Sequence, residues 1–352
     1  MLSFRGLLKG VDAVVLRNDE SHMDENVFYL LEEKPSTATM FLILKKNSIP
    51  VLFVSELELG NYTHKKHVRV EKLDKESLAK ELGNIKGKIG LNFETQTANQ
   101  LKRLKKFIKA QQVDISSYFE KAREVKTQAE IKKIKTACRI TAEIFDRVQD
   151  LMKICRTEKN LALKLEFEAR NNGADAAAFP PIIASGISSA IPHYATADKK
   201  ISEGFLVVDF GVVYDGYCSD ITRTFFVGMP NAYHKHMFAA VYNAKEAATK
   251  MCFAGTEARK VHNAADSVLE KNFGEKMIHA VGHGLGLKVH DFPQGINANA
   301  PFTLKENMCI TVEPGYYKRN FGGVRIEDDV IIKKGKCREL TKAEKVLFSL
   351  KI

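Results

Sequence analysis

Apolar positions change their period along the chain, and the change divides it. Up to about residue 120, short apolar runs alternate with segments of helical spacing. VDAVVLRN, MFLILKK, PVLFVSE and KIGLNFE predict strands, whereas KESLAKEL and TANQLKRLKKFIKA predict helices. This predicts a small α/β domain over residues 1–122. At Thr127 the texture changes: Thr127 and Glu130 form a T-x-x-E capping box ahead of Ile131, Ile134, Ala137, Cys138, Thr141 and Ile144, an apolar stripe at helical spacing. A second domain, residues 123–352, is expected here. It continues with a helix from about 157 to Gly173, whose glycine suits a C-terminal cap. From Phe179 the pattern is strand-rich, interrupted by helical stretches near 232–252 and 258–273, compatible with a weakly symmetric domain of two helix-then-hairpin units.

With 352 residues, 45% hydrophobic and 28% charged, and a mean hydropathy of −0.21, the chain has a globular balance and room for two or three domains. No run approaches the roughly 20 apolar residues of a membrane span. The first residues meet Asp12 too early for a secretory leader. Six cysteines, Cys138, Cys155, Cys218, Cys252, Cys309 and Cys337, are scattered without a CxxC pair, which fits reduced thiols and a cytoplasmic location. The net charge of +11 and pI near 9.2 raise the question of nucleic acid. The basic residues are dispersed, however. In the densest run Leu101, Leu104, Phe107 and Ile108 sit at helical spacing against Lys102, Arg103, Lys105, Lys106 and Lys109, the pattern of a solvated helix face. With no Trp and no phosphate-binding glycine loop, neither nucleic acid nor membrane is an expected partner.

Chemistry concentrates after residue 200. In FLVVDFGVVYDGYCSDITRTFFVG, two β-rich runs flank Asp215-Gly216, a dipeptide suited to a type I′ turn. Cross-strand partners then sum to 431, pairing Asp209 with Thr222 and Gly211 with Asp220. Asp209 and Asp220 become diagonal neighbours on one face, roughly 7 Å or less apart at Cβ. Two carboxylates among apolar neighbours repel each other and lose hydration unless a cation lies between them; a solvent-facing edge hairpin is the alternative. HAVGHGLGLKVHDFP brings His279, His283 and His290 together with glycines that allow close backbone approach, compatible with ligands or with loop and capping residues. CITVEPGYY and GGVRIEDDVII alternate as strands and carry Glu313 and Glu327. Asp209, Asp220, Glu313, Glu327 and one histidine form an oxygen-rich set suited to two divalent ions of the Mn, Co or Zn type.

These motifs, with FPPIIASGISSAIPHY before them, resemble in order those of the proline-directed metallopeptidases of the pita-bread fold, which include Xaa-Pro dipeptidases (prolidases) and Xaa-Pro aminopeptidases. The resemblance covers roughly residues 124–352, and more loosely the family's N-terminal α/β domain. It implies an α/β creatinase-N-like domain followed by an α+β pita-bread catalytic domain. It also implies a dinuclear centre of Asp209, Asp220, His283, Glu313 and Glu327, with Mn as the expected metal and Co or Zn as alternatives. By the same resemblance His193, His279, His290 and Arg325 hold substrate and stabilise the oxyanion, and Glu313 is the base that accepts the proton of the nucleophilic water. The substrate implied is an Xaa-Pro peptide, and the assembly a homodimer.

Many prolidases carry an Arg after the His-acid-x-Pro segment, where it can bind the substrate's C-terminal carboxylate. Here His290-Asp291-Phe292-Pro293 is followed by Gln294, whose neutral amide cannot act as that clamp. The sequence therefore predicts an aminopeptidase releasing the first residue of longer Xaa-Pro peptides, with the dipeptidase as alternative. A metal-free creatinase, or a pita-bread binding module without catalysis, would lack members of the ligand set, and all five are present.

Overall fold

Strand-forming runs in the first part of the chain give β1 (Ala13–Asn18), β2 (Met40–Lys45), β3 (Val51–Val54), β4 (Arg69–Lys72), β5 (Lys88–Leu91) and β6 (Gln111–Asp114). They form one mixed sheet in the order β4-β3-β2-β1-β5-β6. Val14, Leu16, Leu42 and Leu44 face one hydrophobic cluster, and Ala13, Val15 and Ile43 the other. Because both faces are covered, the central strands read as continuous apolar runs. The computed structural model describes residues 7–34, 36–62 and 67–350, and its chain divides into the units Met1–Ala122 and Arg123–Ile352. Residues 1–6, which open the predicted first domain, lie outside those described.

Two expectations in this unit need correction. The basic helix is only Ala98–Lys105, opened by a Thr97/Gln100 capping box, so Phe107 and Ile108 lie beyond it. The edge strands β4 (RVEK) and β6 (QQVD) escaped the pattern because their exposed margins are polar, as sheet edges commonly are.

In the second unit the Thr127/Glu130 box is formed in both directions, with Glu130 N donating to Thr127 Oγ1 (3.3 Å) and Thr127 N to Glu130 Oε2 (2.8 Å). It opens the helix Gln128–Phe145. After a short helix at Val148–Ile154 come Glu158–Asn171, Ala232–Met251 and Ala258–Phe273. Left-handed Gly173 (φ 88°) and Gly274 (φ 72°) follow the ends of the first and last of these three. No helix among the described residues is long and apolar enough to cross a membrane.

The strands of this unit are β7 (Ala176–Ala177), β8 (Ile182–Ser185), β9 (Gly204–Phe210), β10 (Val212–Tyr214), β11 (Tyr217–Cys218) and β12 (Ile221–Val227), then β13 (Gly282–Gly284), β14 (Asp291–Ile296), β15 (Cys309–Val312), β16 (Gly315–Lys318), β17 (Gly322–Arg325), β18 (Asp328–Ile331), β19 (Arg338–Glu339) and β20 (Ser349–Leu350). They form sheets β11-β10-β7, β20-β12-β9-β8 and β14-β13-β15-β18-β19, and a ribbon β16-β17. Helices Gln128–Phe145 and Glu158–Asn171 share a core with β8, β9 and β12. Ala232–Met251 and Ala258–Phe273 share a second core with β15 and β18.

Asp209 pairs with Thr222 in β9/β12, and Asp215 (φ 49°) and Gly216 (φ 80°) both take the left-handed conformation of a type I′ turn. The hairpin is not continuous, however. A Cβ on Gly211 would run into the Ser219 carbonyl, and the ladder opens at Gly211 and Asp220, so that pair is not made. The two glutamate segments, each expected as one strand, are also broken, at Glu313-Pro314 and Ile326-Glu327. Pro314 has no N–H to continue a ladder.

Behind Glu327 lies an ion cluster. Asp328, with a fully buried side chain, meets Arg223 (2.7 Å), Lys245 (2.6 Å) and Lys345 (3.1 Å), and Arg223 also donates to the Glu327 carbonyl. Removing one member strands buried charge of the opposite sign. Asp328→Asn should therefore cost about 3 to 5 kcal/mol of folding stability, read as a lowered urea midpoint at constant m-value. A midpoint within error of the parent would contradict this role.

Candidate metal centre

Each predicted ligand sits where a strand ends or a ladder opens. Asp209 lies near the end of β9, Asp220 just before β12, His283 within β13, Glu313 just after β15 and Glu327 just before β18. Antiparallel β15 and β18 pair Val312 with Asp328, so one further step of that register sets Glu313 opposite Glu327. The glycines flanking His283 are there for space: a Cβ on Gly282 would meet the Thr311 carbonyl, and one on Gly284 the Phe292 carbonyl carbon.

These placements bring all five groups into one space. Asp220, His283 and Glu327 each offer a ligand atom, all within 4.8 Å of one another. His283 Nε2 is 3.7 Å from Asp220 Oδ2 and 3.4 Å from Glu313 Oε1. His283 Nδ1 lies 3.1 Å from the Gly284 carbonyl, which can only accept, so Nδ1 carries the proton and Nε2 presents its lone pair. Burial lowers the His283 pKa, favouring that neutral ring.

The carboxylates are under strain of a kind that points to a cation. Burial, then repulsion from Glu327 and Asp209, pushes Asp220 well above its ordinary value. Burial, then Glu313 and Asp209, does the same to Glu327, and burial raises Glu313. Asp209 Oδ1, Asp220 Oδ1 and Glu327 Oε1 are buried without a hydrogen-bond partner. Buried orphan acceptors beside a neutral imidazole lone pair fit divalent ions.

The other predicted site residues surround this set unevenly. Arg325 is buried and its nitrogens are already engaged: Nε with Thr222 Oγ1 (3.1 Å), Nη1 with the Pro192 carbonyl (3.2 Å) and Tyr317 Oη (3.0 Å), and Nη2 with Asp209 Oδ2 (2.6 Å). These contacts hold Arg325 against Asp209 at the edge of the set. His279 Nδ1 donates to the Ala280 carbonyl (2.7 Å), leaving Nε2 to accept from Tyr317 (3.1 Å). Burial lowers the pKa of both His279 and His290. The His290 ring lies against His283 at 4.0 Å between centroids, while His193 is exposed, within electrostatic range of His279 and His290.

Sequence reasoning missed the hydroxyls that hold the acids. Thr222 donates to Glu327 (2.6 Å), Thr311 meets Glu313 (3.3 Å) and accepts from His283 N (3.0 Å), and Tyr317 joins Arg325 to His279. It also missed Asp329, whose Oδ2 accepts from Asp220 N (2.9 Å). The only signal for Thr222 was its predicted pairing with Asp209.

Residues 132–334 match the profile of metallopeptidase family M24, and residues 8–125 that of the creatinase/prolidase N-terminal domain. The chain is 34% identical over 343 residues to an Xaa-Pro dipeptidase of Pyrococcus horikoshii, covering 96% of this chain and 95% of that protein. Among solved structures, the X-Pro aminopeptidase from Thermotoga maritima aligns with a TM-score of 0.91 at 30% identity, over 99% of this chain and 100% of that one. The prolidase from Pyrococcus furiosus gives 0.86 at 30%, over 97% and 99%.

The electrostatics predict a pH signature. A carboxyl whose folded pKa is raised stabilises the fold while protonated; that contribution is complete below its unfolded value, near 4.5 for Glu327, and is lost as pH rises through the folded value. In chelated protein, Glu327→Gln should therefore raise Tm relative to the parent, and the gap should widen as pH rises above about 4.5. Scanning calorimetry of both proteins checks this, and a gap that closes with rising pH would refute it.

Proposed function

This chain belongs to metallopeptidase family M24, and from that premise we propose that it hydrolyses Xaa-Pro bonds as an Xaa-Pro dipeptidase. The observation that carries the reading is the cluster of Asp220, His283 and Glu327, with ligand atoms within 4.8 Å of one another, Glu313 3.4 Å from His283, and Asp209 within electrostatic range of all four. The relatives shift the balance from the aminopeptidase expected above: the Pyrococcus horikoshii relative, aligned over nearly the whole chain, is an Xaa-Pro dipeptidase. The aminopeptidase remains a second reading because Gln294 is exposed and uncharged.

In this proposal the five residues hold two divalent ions, Mn in preference to Co or Zn. When bound, such ions polarise the scissile carbonyl and make water a nucleophile near neutral pH. Glu313 takes that water's proton and returns it to the leaving proline nitrogen, a role that needs a carboxylate beside the nucleophile. His290 and His193 donate to the substrate carbonyl as it becomes an oxyanion. His279 and Arg325, joined by Tyr317, hold the surrounding wall, and Arg325 keeps Asp209 turned towards the centre. The homodimer expected from the family resemblance, and the cytoplasmic setting expected from reduced thiols, belong to the same proposal; all six cysteines are free.

The test is a kinetic comparison of Xaa-Pro dipeptides with Xaa-Pro-Yaa tripeptides, before and after chelation and with Mn added back. Dipeptide turnover that chelation abolishes and Mn restores, at a higher kcat/KM than for tripeptides, is expected; a tripeptide preference would return the assignment to the aminopeptidase. Full activity in protein shown by elemental analysis to be metal-free would refute the dinuclear reading. Glu313→Gln should lower kcat by at least about a hundredfold, the scale of a lost general base, and near-parental turnover would remove Glu313 from that role.

A further inference from the structure

Two cations at the start of the second unit are buried for no reason that the ligand set supplies. Arg123 is 3% exposed and Lys126 2%. Lys and Arg are rarely so enclosed, and a buried ion pair is seldom worth more to stability than well-packed apolar residues would be. What they touch suggests another purpose. Arg123 Nη2 lies 2.9 Å from Asp291 Oδ1, with both side chains buried, and its guanidinium carbon is 5.7 Å from the centroid of the Phe292 ring. Lys126 Nζ donates to the Phe292 carbonyl (2.7 Å) and to the Arg123 carbonyl (2.6 Å).

Asp291 then spends its remaining acceptor capacity on the backbone of its own loop. Oδ2 takes the Leu287 N–H (2.9 Å) and Oδ1 the Phe292 N–H (2.8 Å). The packing around this carboxylate is close enough that a Cβ on Gly286 would meet Asp291 Oδ2 and, at 3.3 Å, Lys126 Cε. The loop from Gly286 to Phe292 is thus wrapped around one carboxylate and held from outside by two cations. His290 is carried within it. The His290 ring makes no hydrogen bond among the described residues and only lies against His283. Its aim is inherited from the backbone that Asp291 fixes.

We propose that Arg123, assisted by Lys126, is a positioning residue for hydrolysis: through the Asp291 carboxylate it sets the backbone of the 286–292 loop and so aims the His290 imidazole at the substrate carbonyl. The proposal rests on the reading that His290 contacts substrate. A displacement of about 1 Å in such a group can cost roughly a hundredfold in rate. The loss should fall on kcat more than on KM, since the oxyanion exists only in the transition state.

The experiment is a double-mutant cycle on the metal-loaded enzyme, with Arg123→Met and His290→Ala made singly and together, and Arg123→Lys as the conservative variant. Arg123→Met is expected to lower kcat about 10- to 100-fold with unchanged metal content, and Arg123→Lys to recover part of it. Deuterium uptake should rise in residues 286–292 but not in the helix Gln128–Phe145. In the His290→Ala background the same Arg123 substitution should cost less than about threefold more, because the group it aims is already gone. Equal losses in both backgrounds, or parental kcat in Arg123→Met, would overturn the proposal. If Arg123→Met does not fold, Lys126→Met, which removes the clamp on the Phe292 carbonyl, replaces it in the cycle with the same two outcomes. His290→Ala with parental kcat would also overturn it, while leaving Xaa-Pro hydrolysis, which the parent's own substrate and metal dependence tests, untouched.

Discussion

Four carboxylates held in one buried space dominate this molecule's design. Loss of hydration, with their mutual repulsion added to it, raises the carboxyl pKa of Asp220, Glu313 and Glu327. Left alone, such a cluster would open or protonate. Its surroundings prevent the first: Arg325 binds Asp209, Thr222 binds Glu327, Asp329 fixes the Asp220 backbone, and the Arg223–Asp328–Lys245 cluster anchors the strand that begins beside Glu327. A fold that holds four acids this close together suits a divalent cation, which relieves their repulsion.

The same requirement accounts for the broken strands. A residue inside a continuous ladder points perpendicular to its sheet, and acids on several strands of one sheet would form a row rather than converge. Asp220, Glu313 and Glu327 instead sit at interruptions, where the chain passes from one sheet to another and the backbone can turn a side chain inward. Gly211 and Pro314 enforce two of these breaks, one by leaving no room for a Cβ and the other by lacking a donor.

What the sequence revealed follows from how far each residue departs from its local background. Acids stand out among apolar β-formers, so Asp209, Asp220, Glu313 and Glu327 could be picked by type, whereas His283 was singled out from His279 and His290 only by the family resemblance. The capping box at Thr127 and the glycines after the helices were legible because caps are local chemistry. Thr222, Thr311 and Tyr317 were not, because Thr and Tyr are ordinary strand residues and only tertiary contact makes them special. Arg123 and Lys126, in a segment written KAREVK, look like solvated helix charges. The ladder breaks were invisible too, since alternation continues across them in residue type even where pairing does not.

Five of the chain's cations are structural. Arg123, Lys126, Arg223, Lys245 and Arg325 are all buried in the second unit, among a larger number of buried acids, and so belong to its interior frame rather than to an outer patch. Asp291, Asp328 and Asp209 meet their cations there, and in each case the pair lies next to a segment that carries a site residue: His290, Glu327 and Asp209 itself. The cations do not neutralise the centre, because Asp209 Oδ1, Asp220 Oδ1 and Glu327 Oε1 still lack partners. Had a lysine or arginine reached those oxygens, the acids would be satisfied and the space closed to a metal. By binding the acids from behind, the cations stiffen the frame while leaving its inner lone pairs for a divalent ion, which suits a site that must stay both rigid and ready to bind.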